Sequence, residues 1–378
     1  MNGREPERLA RVALGRLGEP GDPRVATLVE GSGAVAVYQA LLDQREHDGL
    51  LSDVAGRLAA IDPARDLDVA DRLGIRFVIP GDAEWPTQLD DLGAAPPVQE
   101  RGGAPMGLWV RGPLRLDEVE ASVSVVGSRS ATTYGAHVAG ELAAVSARAG
   151  LVVVSGAAFG IDQAAHRGAV AAGGRSVAVL ACGVDRPYPP AHRDLIEHLA
   201  RTGAVVSELA PGCSPTRLRF LARNRMIAAL TGGTVVVEAA LRSGALNTAN
   251  WASRLNRHLL GVPGPVTSAP SQGVHQLIRT GAATLVTSGE EVLEVLGRAG
   301  QHLLEVPRGP ERPRDKLPLR QQQVLDAVPV SSSVGAESIA RTAGLSLLEV
   351  GSALTRLRDH GLVEQAEGGW RLAGPVSR

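Results

Sequence analysis

Between Ala121 and about Arg298 the sequence alternates short β-branched runs with longer amphipathic stretches: "ASVSVVG", "LVVVSG", "SVAVLACG", "AVVSEL", "TVVVEA", "HLLGVPG" and "ATLVTSG". No other feature constrains the fold as strongly. Each run is near-continuously apolar, so both of its faces have to be buried, and the segments between runs are long enough for helices. Strands buried on both faces and joined by helices make a parallel sheet covered on each side, an α/β fold. Ligands of such sheets bind beyond the carboxyl ends of the strands, where Gly, Ser and Arg cluster in this chain.

The flanks read differently. Residues 1–74 hold helical patterns such as "ERLARVALGRL" and "AVAVYQALLDQ", broken at "GEPGDP" and "GSG", and are expected to form a small helical domain. It is acidic: residues 1–100 carry 10 Arg against 18 Asp and Glu. A connector over 75–120 is rich in Pro and Gly, which predicts short extended pieces packed along the sheet domain and anchored by Trp85, Leu89, Leu92 and Trp109. The central domain then runs over 75–299. Residues 300–318 have the Pro and charge content of a linker. Over 319–378, three helical segments and a strand pair give the layout of a winged helix-turn-helix.

Composition narrows the chemistry. The net charge of -1 hides a basic patch, because residues 201–260 carry 8 Arg against 2 Glu. Lys316 is the only lysine, so 38 of the 39 basic residues are arginine, a planar and permanently charged donor suited to phosphate. A P-loop lysine or Schiff-base lysine therefore has no candidate in the central domain. Two cysteines and nine histidines without paired ligand spacing predict no metal site. No cofactor is called for. No stretch approaches the ~20 apolar residues of a membrane span, and "MNGREPERLARVALG" lacks an apolar signal core, so a cytoplasmic location is expected.

Several strand ends carry candidate anion-binding groups. In "SVVGSRSATTYG" a strand runs into the Gly127-Ser128-Arg129 turn and then a helix from about Gly135; turn N–H groups, a helix N-terminus and a forked guanidinium together attract phosphate. "VVSGAAFGIDQAAHRGAV" repeats the pattern with Ser155, Gly156 and Gly160. Its Asp162 and His166 are four residues apart on one helical face, either a dipole-stabilising acid with a satisfied histidine or an acid–base pair in hydrogen-bond contact. His192, with no nucleophile or metal beside it, reads as a loop-supporting residue. Ser243-Gly244 follows a later strand.

The segment "TRLRFLARNRMIAALTGG" brings Arg217, Arg219, Arg223 and Arg225 into an apolar region. One continuous helix through it would send Arg225 roughly 160° from Arg223. A helix beginning near Asn224 instead places Arg223 and Arg225 at its N-terminus, where cations are unfavourable unless an anion meets them. Both are therefore expected to face a phosphate.

In order along the chain, "VVGSRSATTYG", "VVSGAAFGIDQAAHRGAV", "YPPAHRDLI", "SELAPG", "FLARNRMIAALTGGTVVVEA", "SGALNT" and "VPGPV…QGVHQLIRTGA" resemble the DNA-processing protein A family, DprA or Smf, over about Ile75 to Ser288. The helical N-terminal region, read as a SAM-like or helix-hairpin-helix-like domain, and the C-terminal winged helix also look like that family's flanks. The resemblance implies an extended Rossmann-like domain that binds single-stranded DNA, dimerises, and loads the RecA recombinase onto incoming DNA during natural transformation. On matching positions it implies a DNA pocket lined by Gly127, Ser128, Arg129, Ser155, Gly156, Arg223, Asn224, Arg225, Ser243 and Gly244. Leu221 stands where the family usually has proline and Asn247 where it usually has isoleucine. Arg217 or Arg219 has to replace lysines common in that pocket.

Low aromatic content, 3% of the chain, predicts backbone-dominated binding with Phe159 and Phe220 as the available stacking rings. The competing function is a phosphoribohydrolase-type nucleotide enzyme with the signature PGGxGTxxE. "TGGTVVVEA" lacks the proline and one residue of that spacing, which casts Glu238 as a strand-end carboxylate paired with an arginine. Arg356 and Arg358, balanced by Glu349 and Asp359, suit the winged helix to protein contact or weak auxiliary DNA binding.

Overall fold

The computed structural model describes residues 4–45, 49–304 and 313–374, which fall into two compact units divided after Leu304. Part of the linker expected over 300–318, residues 305–312, lies outside the described residues.

The first unit opens with helices α1 (Glu5–Leu17), α2 (Pro23–Ser32), α3 (Ala34–Leu42), α4 (Leu50–Leu58) and α5 (Pro63–Arg72). Asp22 and Asp62 cap α2 and α5, each followed by a proline whose missing N–H is harmless at a first helical position. The connector supplies β1 (Ile75–Val78), a single turn α6 (Asp91–Ala94) and β2 (Leu108–Arg111). Trp85, Leu89, Leu92 and Trp109 are all buried, the anchoring expected of them.

The alternating region then gives β3 (Ser122–Val126), α7 (Thr133–Arg148), β4 (Val152–Ser155), α8 (Ile161–Ala171), β5 (Ser176–Val179), α9 (Arg193–Thr202), β6 (Ala204–Ser207), α10 (Arg217–Ala229), β7 (Gly233–Val236), α11 (Ala245–Arg254), β8 (His258–Gly261), α12 (Gln272–Arg279), β9 (Thr284–Leu285) and α13 (Gly289–Leu296). Every one of the seven quoted apolar runs contains a strand. The nine strands form one sheet in the order β1-β2-β6-β5-β4-β3-β7-β8-β9. From β6 to β9 all pairings are parallel, while β1 and β2 extend the β6 edge in antiparallel register.

Alternate side chains of the central strands enter opposite core layers, as the two-residue period of a strand requires. Val152 and Val154 join the layer with Met226, Ile227 and Trp251 of α10 and α11; Val153 joins the one with Leu142 of α7 and Ala165 of α8. Helices α7 and α8 cross so closely that a Cβ on Gly168 would lie 2.1 Å from the Gly140 carbonyl oxygen, so glycine is required there.

The helical N-terminal region is tied to the connector and sheet by two ion pairs, Arg8 with Asp82 and Arg219 with Glu19, and by Arg16, which is held by Asp66 of α5 and donates to the Pro211 carbonyl. The second unit consists of α14 (Leu319–Ala327), α15 (Ala336–Ala343), α16 (Leu347–Asp359) and an antiparallel pair β10 (Val363–Ala366) and β11 (Gly369–Leu372), joined to Val334 by a bridge at Trp370. Its core centres on Val324, Ile339, Val350, Leu354 and Leu357.

Candidate nucleic-acid interface

After β3 the chain builds the sheet outward to β6, then returns through α10 to β7 on the other side of β3. This is a topological switch point, where the loops following two neighbouring strands diverge and leave a crevice. A cavity of about 1210 Å³ opens there.

Gly127, Ser128 and Arg129 of the turn after β3 line it. Glycine is obligatory at 127, since a Cβ would lie 2.8 Å from the Glu238 carbonyl oxygen and 2.5 Å from Ile161. The Ser128 N–H donates to that same carbonyl at 2.7 Å. The Glu238 side chain is buried and grips the turn a second time: the Thr132 N–H donates to it at 2.9 Å and the Thr132 hydroxyl donates to its other oxygen. Thr132 in turn caps α7 by accepting from Gly135 N–H at 3.0 Å. The carboxylate thus occupies a helix N-terminus, where an anion is favoured. This corrects the expected Glu238–arginine pair, and it leaves Glu238 engaged in holding a loop rather than available as a catalytic acid.

Arg129 is exposed, with its guanidinium carbon 4.5 Å from the Phe220 ring centroid, within cation–π range. Tyr188, 40% exposed, lies 5.9 Å from Phe220. Arg217 and Arg242, also exposed, line the same cavity, as do Leu221, Asn224, Ser243 and Gly244. Among the described residues no carboxylate lies within ion-pair distance of Arg129, Arg217 or Arg242. Phe159, by contrast, sits edge-on to His192 and is outside the cavity lining.

The arginine segment is one helix, which corrects the expected start near Asn224. Thr216, a favoured N-cap type, accepts from Arg219 N–H at 3.3 Å and starts α10 at Arg217. Its four arginines consequently point in different directions. Arg217 and Arg223 reach the cavity. Arg219 turns to Glu19, in a two-pronged contact at 2.9 and 2.8 Å. Arg225 is fully buried in a bidentate pair with Glu208 and also donates to the Gly103 and Ala222 carbonyls at 3.1 and 2.8 Å. Neither Arg219 nor Arg225 lines the cavity; Glu19 and Glu208 already supply their anions.

Ser155 and Gly156 stand behind the cavity. The Ser155 hydroxyl donates to the Val125 carbonyl at 2.7 Å, joining β4 to β3. Gly156 leaves space for Arg223, whose terminal nitrogen would lie 1.2 Å from a Cβ there. Arg223 is itself 6% exposed, donates to the Val179 carbonyl at 3.2 Å, and lies 4.0 Å from Asp162. Burial pulls its guanidinium below the ordinary arginine value against the pull of Asp162, and burial pushes the Asp162 carboxyl up against the pull of Arg223.

Asp162 accepts from Gly156 N–H at 3.1 Å, while His166 contacts Ser176 at 2.8 Å, so the two do not form the Asp162–His166 hydrogen bond that their spacing allowed. The Ser176 hydroxyl gives its proton to the Val153 carbonyl, so His166 Nδ1 must be the donor to Ser176. Burial lowers its pKa to about 3. His192 donates from Nδ1 to the Ala157 carbonyl at 2.9 Å and supports that loop.

Sequence reasoning missed Arg242, Tyr188 and Gln99 as lining residues. Arg242 had a signal, immediately before Ser243-Gly244 at a strand end; Gln99, in the connector, had none.

The sequence model for DNA recombination-mediator protein A matches residues 76–297. The chain belongs to this family. A curated DprA relative from Mycobacterium tuberculosis is 41% identical over 371 residues, 97% of this chain and 95% of the relative, so the likeness extends through both flanks of the DprA core. Protein Smf of Escherichia coli is 36% identical over 274 residues, 70% of this chain and 71% of its own length. Among solved structures, DprA from Streptococcus pneumoniae superposes with a TM-score of 0.63 at 30% identity, covering 76% of this chain and 97% of the other. DprA from Helicobacter pylori, described for its single-stranded DNA binding mode, superposes with a TM-score of 0.51 at 25% identity, covering 59% of this chain and 95% of its own.

Proposed function

We propose that this DprA-family protein binds single-stranded DNA in the switch-point cavity, protects incoming strands and loads the RecA recombinase onto them during natural transformation, acting as a cytoplasmic homodimer and not as an enzyme. The observation that carries DNA binding is the set of exposed arginines Arg129, Arg217 and Arg242, without carboxylate partners among the described residues, around the Phe220 and Tyr188 rings. Phosphates supply the missing anions and bases stack on the rings, the combination by which single strands are held with little sequence preference. The single-stranded DNA binding mode of the Helicobacter pylori relative supports the same reading. RecA, transformation and the homodimer rest on the motif resemblance. The second unit reads as a winged helix whose α16 presents Leu347 and Leu348, 51% and 86% exposed, beside Arg356, a surface suited to protein contact or auxiliary DNA binding.

The test is single-strand binding across a salt series for the wild type, Arg129→Ala and Arg217→Ala. Each arginine lost from a phosphate is expected to weaken binding and flatten the logarithmic salt slope by about 0.7. Wild-type affinity and slope in both variants would sink the cavity reading. The phosphoribohydrolase alternative requires nucleoside monophosphate hydrolysis abolished by Glu238→Gln, and the buried, doubly engaged Glu238 disfavours it.

A further inference from the structure

One wall of the cavity is built from amides. Asn224 of α10 donates from Nδ2 to the Gly244 carbonyl and to Asn247 Oδ1, both at 3.3 Å. Asn247 of α11 donates from Nδ2 to Gln99 Oε1 at 3.1 Å. All three side chains line the cavity, which also holds Arg129 and Phe220. The row is directional. Gly244 offers a carbonyl that can accept only, which fixes the Asn224 amide with its nitrogen inward. Asn224 then presents a donor, which fixes the oxygen of Asn247 toward it, and Asn247 in turn fixes the oxygen of Gln99. A side-chain amide that would ordinarily turn over freely is thus set in one orientation from a backbone anchor two residues away along the relay.

The connector places Gln99 there by a constrained turn. Val98 and Arg101 exchange both backbone hydrogen bonds, at 2.8 and 3.0 Å, and the two residues between them, Gln99 and Glu100, have φ of 49° and 62°. Two consecutive left-handed residues make a tight hairpin turn that favours Asn, Asp or Gly, so glutamine and glutamate are unusual occupants. Unusual backbone at a cavity rim, held by a side-chain contact to a helix 148 residues on, marks a placed group. After its contact with Asn247, Gln99 keeps two N–H donors and one acceptor lone pair, and it is exposed. An amide with an adjacent donor and acceptor matches the N7 and N6 edge of adenine.

Resting on the single-strand reading of the cavity, we infer that Gln99, oriented by Asn247 and Asn224, reads base edges and gives this protein a preference for adenine at one position of a bound strand. Asn247 is the positioning residue. An isoleucine in its place could orient no amide.

The experiment measures affinities of the full-length protein for labelled deoxyadenylate, deoxythymidylate and deoxycytidylate strands of about twenty nucleotides, long enough to fill such a site. The variants are Asn247→Ile, which removes the orienting amide, and Gln99→Asn, which keeps a residue tolerant of the left-handed turn but shortens its reach. The intrinsic stacking of each homopolymer is the same for all proteins, so the ratio of ratios isolates the side chain. The wild type is expected to favour deoxyadenylate over deoxythymidylate by about fivefold more than either variant does, with unchanged salt slope and melting temperature. An equal ratio in wild type and both variants overturns the inference, as does a ratio that falls together with the salt slope or the melting temperature, which would report a collapsed cavity. Failure of the wild type to bind any of the strands refutes the single-strand reading itself, and the base preference with it.

Discussion

Replacing Arg225 with alanine is expected to unfold the protein more readily while leaving DNA binding by the remaining folded molecules unchanged. The guanidinium has no exposed surface, pairs in bidentate fashion with a Glu208 side chain only 9% exposed, and donates to the Gly103 and Ala222 carbonyls. With both partners out of water there is little solvent screening, and truncating one strands the other as a buried charge, a loss of about 3–5 kcal/mol. Unfolding entropy near 2.1 cal/mol/K per residue over the roughly 300 residues of the first unit converts this to a fall in melting temperature of about 5–8 °C. Differential scanning calorimetry on the wild type, Arg225→Ala and the double variant Glu208→Gln, Arg225→Met measures it; the double variant, with no stranded charge, is expected to recover most of the loss. Single-strand binding at several salt concentrations, below the melting transition, supplies the second readout. A melting temperature within a degree of wild type combined with a flattened salt slope would refute the reasoning, because it would place Arg225 on a phosphate and not on Glu208.

Arg129→Ala is expected to behave in the opposite way, with an unchanged melting temperature and a salt slope reduced by about 0.7 in single-strand titrations. Gly156→Ala puts a methyl 1.2 Å from an Arg223 nitrogen, so the guanidinium must leave its seat; weaker DNA binding and a lower melting temperature are both expected, measured by the same two assays. Glu238→Gln replaces one acceptor by a donor facing either the Thr132 N–H or its hydroxyl, and the expected loss is about 1.5–3 kcal/mol in urea unfolding with a several-fold weaker affinity as the Arg129 turn loosens. His166 has a folded pKa of about 3, below its unfolded value, so its contribution is fully present above pH ~6.5 and is lost as pH falls toward 3. Between pH 7 and 5 it removes about 2 kcal/mol of stability. Asp162, with its pKa raised, works with the opposite sign, favouring the fold as pH falls. Urea unfolding of the wild type and His166→Gln at both pH values is expected to show a shallower fall in the variant.

The sheet was legible because its signal is local. Near-continuous apolar runs such as "LVVVSG" and "TVVVEA" must bury both faces wherever they fold, and each became a strand, the first ending at Ser155 and the second at Val236, upstream of Arg242 and Ser243. The turn at Gly127 to Arg129 and the pair Ser243-Gly244 were readable for the same reason. The connector was legible as extended pieces with buried Trp85 and Trp109, but not as two further strands of the sheet, because an edge strand depends on which neighbour it finds.

The arginines divide most sharply along this line. Helical spacing stated that Arg223 and Arg225 diverge, and the Thr216 cap that makes their helix continuous was already in the sequence. What spacing does not contain is the partner: Glu208 waits for Arg225, Glu19, two hundred residues away in sequence, waits for Arg219, and Arg129, Arg217 and Arg242 are left without carboxylates among the described residues. Glu238 likewise chose Thr132 over an arginine, and Gln99 reached Asn247 across 148 positions. The sequence by itself determined where the strands end and that positive charge gathers there, since periodicity and composition act over a few residues. Tertiary structure decided which of those charges are already neutralised and which still face the cavity, since ion pairs form between neighbours in space whatever their separation along the chain.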